Sequence, residues 1–435
     1  MEAVRLNAGM PIYETGHATH MYGPLLTVML AGIFRVVGIN LLGARVLFSF
    51  FGLALAAFLS TILCPKGSRA WWFLAFLLFL GISFRTNLIF FTAQPDCAAA
   101  LFGMLGLYLW IGRDKSRVRP VISVGLFLCA AFMKQTAAAF ALIPIIHTLG
   151  WERPLRWRSL VVSVIPASVV AIILIVIYFF APQLFSGLVL VPATIKVYYG
   201  RIPRVVLYLL ATFPIFVTAL LAAFRSSGPV SERERWVWSA IIVLIPVSIW
   251  TTCKSGGSDN SLLYAYLAMT ALLVLKLDTI LHWIGALPPR RGFAAASAVA
   301  LVILVSFFVQ VRKDRSLLFA RCGDEKYDAT VVLARQHAGE KVISPQDPTL
   351  AYRASGYIGR SLFFELDAHA VNGNWPADLP LSMEEELAQA DYVIEVKNYV
   401  PTPVFERGLR NQHFRPVVVE ALIDSAYTIW QRAQN

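Results

Sequence analysis

The sequence predicts a polytopic α-helical membrane protein of about 10–11 apolar helices, followed by a C-terminal soluble α/β domain. Three observations predict it. Of 435 residues, 57% are hydrophobic and 15% charged, with a mean hydropathy of +0.64; soluble domains average about 45–50% and about 25%. The apolar residues gather in blocks approaching the about 20 residues that a membrane helix needs. From about Asp324 onward the composition turns to that of ordinary soluble protein.

Residues 1–23 are polar and mixed, and are expected to form an outward juxtamembrane loop. The apolar blocks then fall at 24–37, 42–63, 70–84, 95–112, 120–133, 135–149, 160–180, 204–224, 236–253, 261–281 and 293–311. The first, at about 1.5 Å per residue, is about 21 Å long and short of a hydrocarbon core of about 30 Å, so it is expected to lie in or dip into the outer leaflet. The run from Val121 to Leu149 is interrupted by Lys134 and Gln135, which predicts two helices turning there.

Charge sets the orientation. Loops 64–70, 113–119, 150–158, 225–235 and 282–292 together carry fourteen Lys and Arg residues and alternate with the apolar blocks. By the positive-inside rule they face the cytoplasm. The net charge of +12 is concentrated in these short loops, which argues against nucleic acid as a partner. The five cysteines have no metal-ligand spacing and read as small buried hydrophobes.

The tail after the last block, 320–435, reads as an extracytoplasmic α/β domain. Residues 327–337 and 382–389 have helical pattern; Lys341–Ile343, Ser361–Leu366, Tyr392–Val396, Pro416–Val419 and Tyr427–Trp430 read as strands. It has no glycine-rich phosphate loop, Cys/His cluster or nucleophile elbow, and is expected to be accessory or acceptor-facing.

Parity then brings polar groups together on the outer side: Arg85, Gln94 and Asp96; Lys134 and Gln135; the 181–203 loop; and Lys254 to Asn260, with Asp259. A charge beside hydrocarbon is costly, so such groups are expected to border a wet cavity. Asp96 suits acid/base work, orientation of an acceptor or coordination of a divalent cation; equally, it could cap the helix it opens. Lys134 is a compact cation suited to a lipid phosphate, and the Gly256-Gly257-Ser258 turn could offer backbone N–H groups to phosphate; a Lys134–Asp259 ion pair joining two helices is the structural alternative. Upstream, Gly9-Met-Pro-Ile-Tyr13-Glu14, His17, His20 and Tyr22-Gly-Pro24 form a polar aromatic loop leading into the first apolar block. The two histidines alone make a poor metal site.

At these residues the chain resembles the membrane-embedded C-type glycosyltransferases, in the bacterial branch of protein O-mannosyltransferase-like and lipid A aminoarabinose transferase-like enzymes. The matching stretches are GMPIY…YGPLL, Gly43-Ala-Arg45-Val-Leu-Phe-Ser49, TAQPDCAAALFGMLGLYLW, FMKQTAAAF and GSDNSLLYAYLAMTAL, in that order, over about residues 5–280. The resemblance implies transfer of a sugar from a polyprenyl-phosphate donor to a lipid, glycan or protein acceptor, on the outer face of a bacterial plasma membrane. It implies Asp96 and Glu14 as catalytic carboxylates. Arg85, Gln94, Lys134, Gln135, Asp259, Asn260, Tyr22 and His20 are the implied substrate-binding residues, and Lys134, with Arg85 or Arg201, would serve the departing phosphate. Family members begin with a membrane helix and an outward loop bearing an Asp or Asp-Glu pair. Met1 falls about where the second half of that loop should be, so the first helix and the usual acid are expected to be missing, with Glu2 and Glu14 the nearby carboxylates. A non-catalytic relative that binds lipid-linked glycan is the alternative expectation.

Overall fold

The computed structural model describes the chain except residues 15–19, 65–67, 87–88, 92–93, 213–214, 226–228, 291–296, 298–324, 337–339, 361–378, 397–401, 420–421, 423–426 and 434–435. His17, the strand expected at Ser361–Leu366 and nearly all of the block 293–311 therefore lie outside the described residues.

A short helix, α1 (Glu2–Asn7), packs on α2 (Pro24–Val37), where the Asn7 amide donates to the Ala31 carbonyl at 3.0 Å. Then come α3 (Leu41–Leu63), capped by Asn40, and α4 (Arg69–Arg85), capped by Ser68. The pair α5 (Asp96–Ile111) and α6 (Val118–Met133) follows. Ala98, Ala99 and Ala100 are fully buried on α5, and small residues let helices approach closely; the Ser123 hydroxyl also donates to the Gly106 carbonyl at 2.7 Å.

Beyond Lys134 the chain runs as a 3-10 turn, Gln135–Leu142, into α7 (Ile143–Trp151). His147 of α7 lies 3.4 Å from Glu232, the first residue of the later helix Glu232–Thr252, so the chain doubles back at Lys134 toward the end where that helix begins. After α8 (Trp157–Phe180), the stretch expected to be a plain loop, 181–203, holds two short helices, α9 (Pro182–Phe185) and α10 (Val191–Thr194), around a π-helical turn, Ser186–Leu190. The expected single block 204–224 is two helices, α11 (Ile202–Thr212) and α12 (Ile215–Arg225), bent by 83°. The bundle continues with α13 (Glu232–Thr252) and α14 (Leu263–Gly285).

Among the described residues, four helices are long and apolar enough to cross a membrane: Leu42–Leu63, Trp157–Phe180, Glu232–Thr252 and Asp259–Gly285. The shorter ones bear on the site. With 16 residues each, α5 and α6 are about 24 Å long, less than the about 30 Å hydrocarbon core. Asp96 opens the first and Lys134 follows the second, so polar groups come where hydrocarbon would otherwise continue.

The C-terminal region is a four-stranded sheet in the order β1 (Val342–Ile343), β2 (Tyr392–Val396), β4 (Tyr427–Arg432), β3 (Phe414–Val417). Only the β1–β2 pairing is parallel. Alternation divides the side chains between two faces. Ile343, Val393 and Trp430 pack with helices Leu381–Ala388 and Thr402–Asn411; Val342, Ile394 and Ile429 pack with helices Glu325–Arg335 and Pro348–Ser355. Covered on both faces, β2 is buried throughout. Its Glu395 is satisfied by the Trp430 indole N–H at 2.9 Å.

Candidate functional site

The site begins where α5 and α6 present their polar ends side by side. Pro95 occupies the N-cap of α5 and Asp96 makes no capping bond. Its carboxylate, almost wholly buried, instead receives the Lys134 ammonium. Lys134 follows the last residue of α6 in extended conformation, φ −148° and ψ 120°. Two of the alternatives open in the sequence are thereby set aside: Asp96 is not acting as a cap, and the partner of Lys134 is Asp96 rather than Asp259.

Gln135 is adjacent. Its amide N–H donates to the Met21 carbonyl at 2.7 Å, pinning the N-terminal loop over the site, while its Oε1 is buried without a hydrogen-bond partner among the described residues. The loop lies hard against α6: a Cβ at Gly23 would come within 1.7 Å of the Phe132 carbonyl oxygen. Tyr22 lies within electrostatic reach of Lys134. His20 is buried, with Nε2 at 3.3 Å from the Thr27 hydroxyl, and burial holds its pKa below the usual imidazole value. Tyr13 packs on the His20 ring and donates to the Tyr22 carbonyl at 2.7 Å. A Cβ at Gly187, in the π-helical turn, would meet the Tyr13 ring at 2.4 Å, so that turn closes over the loop only because the residue is glycine.

A second polar group continues from Gln94. Its side-chain oxygen accepts from the Asn260 amide at 2.9 Å. Asp259 accepts from the Tyr208 hydroxyl of α11 at 3.0 Å. Arg85, at the end of α4, lies within electrostatic reach of Tyr208 and Tyr266. In the glycine turn the Gly257 N–H is bonded to the Lys254 carbonyl at 3.0 Å, so of the Gly256, Gly257 and Ser258 N–H groups that one is spent.

Glu14 stands apart from the Asp96–Lys134 pair in its bonding. It is held by Arg5 at 2.8 Å and by Arg360, from the C-terminal region, at 3.0 Å. Among the described residues no three His, Cys, Asp or Glu side chains gather as a metal site. Sequence reasoning passed over Tyr264, buried beside Asp96 in the first turn of α14, and Tyr208. Tyr264 lay within a quoted motif, five residues after Asp259; Tyr208 gave no signal. Gln135 also lines a small apolar crevice of about 50 Å³, with Leu128, Phe132, Val170, Leu174 and Leu188.

A helical bundle with polar groups at one end and a small sheet region near the C-terminus is a fold that the chain shares with a solved membrane protein. The crystal structure of ArnT from Cupriavidus metallidurans bound to undecaprenyl phosphate superimposes with a TM-score of 0.54 at 11% identity, over 99% of this chain and 91% of that one. At this identity the likeness establishes the fold. No protein-family model matches the sequence, and no curated protein matches it.

Proposed function

We propose that the protein transfers a sugar from a polyprenyl-phosphate donor to an acceptor at the outer face of the membrane, within its helical bundle. The observation that carries the reading is the buried Asp96–Lys134 pair at the joined ends of α5 and α6, beside a Gln135 oxygen without a hydrogen-bond partner among the described residues. Support comes from the shared fold with a protein bound to undecaprenyl phosphate.

The chemistry needs a cation for the departing phosphate and a carboxylate for the acceptor proton. Lysine carries three N–H donors. One meets Asp96, leaving the others for a phosphate oxygen. The acceptor hydroxyl attacks the anomeric carbon and its proton passes to the Asp96 carboxylate. The bond from anomeric carbon to phosphate oxygen breaks, inverting the centre, and polyprenyl phosphate leaves against Lys134. Arg85 adds positive charge; Gln94, Asn260 and Asp259 form a hydrogen-bonding wall for the sugar; Tyr22, His20 and Gln135 line the loop side. Glu14 is the second candidate carboxylate. In this reading the basic loops are cytoplasmic and the sheet domain stands outside.

One observation favours a second reading, a protein that binds lipid-linked glycan without turning it over. Asp96 is paired with Lys134, and Glu14 with two arginines, so both carboxylates are already neutralised. The test is consumption of a radiolabelled polyprenyl-phosphate sugar by membranes holding the full chain. Consumption abolished by Lys134→Ala and Asp96→Asn supports transfer. Full turnover in both variants defeats the site assignment, and saturable binding without consumption establishes the second reading.

A further inference from the structure

At the end of the bundle opposite Asp96 lies a cavity of about 420 Å³ that the sugar-transfer reading does not use. It sits among the last turns of α3, the second half of α5, the first turns of α13 and the middle of α14. The space exists because small side chains face it: Ala240, Ala268 and Ala271 are all buried, with nothing larger to fill the gap between the helices. Its volume falls in the range of about 300–1,000 Å³ typical of ligand sites. Its walls are too apolar to suit water, which needs about 2–4 polar partners.

We propose that this cavity holds an acyl chain of an anionic phospholipid, with Arg233 on the headgroup. Three features select that occupant. Arg233 lines the cavity, is exposed, and makes no hydrogen bond or ion pair among the described residues, whereas Arg235, one turn-step away, is engaged by Glu232 and the Val230 carbonyl. The lining also includes Tyr108 and Ile111, exposed at 44% and 39% near the end of α5, so the cavity is reached from the outer surface of the bundle. Tyrosine and arginine are both residue types that anchor at the membrane–water interface. Finally, the loops at this end of the bundle, 113–119 and 225–235, are rich in arginine, which attracts anionic rather than zwitterionic lipid.

The proposal is independent of the sugar chemistry. Native mass spectrometry of the full chain, released from detergent after exposure to phosphatidylglycerol or phosphatidylcholine with identical acyl chains, tests it. Retained phosphatidylglycerol should exceed phosphatidylcholine by about fivefold, the contribution of one basic residue near a headgroup. Arg233→Gln should abolish that preference while leaving the cavity intact. Ala268→Leu should lower retention of both lipids by about tenfold or more, since each methylene excluded from the cavity forfeits burial. Should Ala268→Leu fail to fold, Ala240→Leu and Arg233→Gln together decide the matter. Equal retention of both lipids by the wild type overturns the proposal. So does undiminished retention in the filled variant, or displacement of phosphatidylglycerol by equimolar polyprenyl phosphate.

Discussion

Two lysine–carboxylate pairs lie at opposite ends of one bundle. Asp96–Lys134 joins the start of α5 to the residue after α6; Glu234–Lys276 joins the first turn of α13 to α14 at 2.8 Å. By burial they are near twins, with side-chain exposures of 3% and 12% against 9% and 7%. Their neighbours differ. Ser231 caps α13 through the Glu234 N–H, the Trp236 indole donates to Glu232, and His147 stacks on Trp236 with centroids 3.7 Å apart. Around Asp96 the helices are short, Lys134 is extended, and Gln135 keeps a buried oxygen without a hydrogen-bond partner among the described residues. Burial of an ion pair thus distinguishes neither role, and among the described residues a buried polar atom without a hydrogen-bond partner lies near each pair, Gln135 Oε1 at one end and His147 Nε2 at the other; what sets the Asp96 end apart is two short helices, the second ending on an extended, charged residue.

The comparison is broken most directly by replacing each pair with apolar side chains. Asp96→Leu with Lys134→Met should lower sugar transfer by about 10²–10³-fold or more, the scale of losing a preorganised charge at a reacting centre. Glu234→Leu with Lys276→Met should leave transfer nearly unchanged, because a buried pair exchanged for hydrophobes is often neutral for stability. Equal loss at both ends, in the radiolabelled-sugar assay, would erase the distinction.

Removing one partner sharpens it. Lys276→Met strands Glu234 and should cost about 3–5 kcal/mol, read as a lower melting temperature in detergent. Lys134→Met should cost a similar amount, since Asp96 and Glu234 both stand in the first turn of a helix whose dipole favours an anion, so the two ends should part in transfer and not in stability. Next in size, Gly187→Val places a Cβ against the Tyr13 ring and should cost about 1–3 kcal/mol. Limited proteolysis should then cut the 13–22 segment faster.

The site end should also feel acid. The His20 pKa is depressed by burial, so the unfolded chain takes up a proton more readily than the folded one. The stability that His20 contributes is present above its unfolded pKa of about 6.5 and is lost as pH falls below that value. Melting temperatures between pH 5 and 8 should show this fall, and His20→Asn should flatten it. The smallest effect is expected from Arg360→Ala, which removes a partly exposed ion pair worth about 0.2–1 kcal/mol; a thermal shift larger than a degree or two would mean that the contact carries more than charge.

Much of the frame was legible because hydrocarbon length and charge placement are local properties. The block 95–112 is α5 within a residue at each end, and β2 has the bounds expected, since a strand covered on both faces reads as a continuous apolar run. The block 204–224 read as one span because hydropathy has no memory of direction, and its 83° bend leaves no mark in composition. Strand β3 sits two residues earlier than expected, and helix Thr402–Asn411 was missed. At the site, Asp96 and Lys134 stood out as charges beside apolar runs, but which acid meets the lysine is decided by α5 lying against α6. The Tyr208–Asp259 bond spans 51 positions of the chain and had no local signature.

Glu14 is gripped by one guanidinium nine residues before it and by another some three hundred and fifty residues after it, so the chain's first segment and its final domain share a single fastening. Glu14, on the N-terminal segment, is therefore tethered to the C-terminal region through Arg360. A shift of that region would be felt at this one carboxylate.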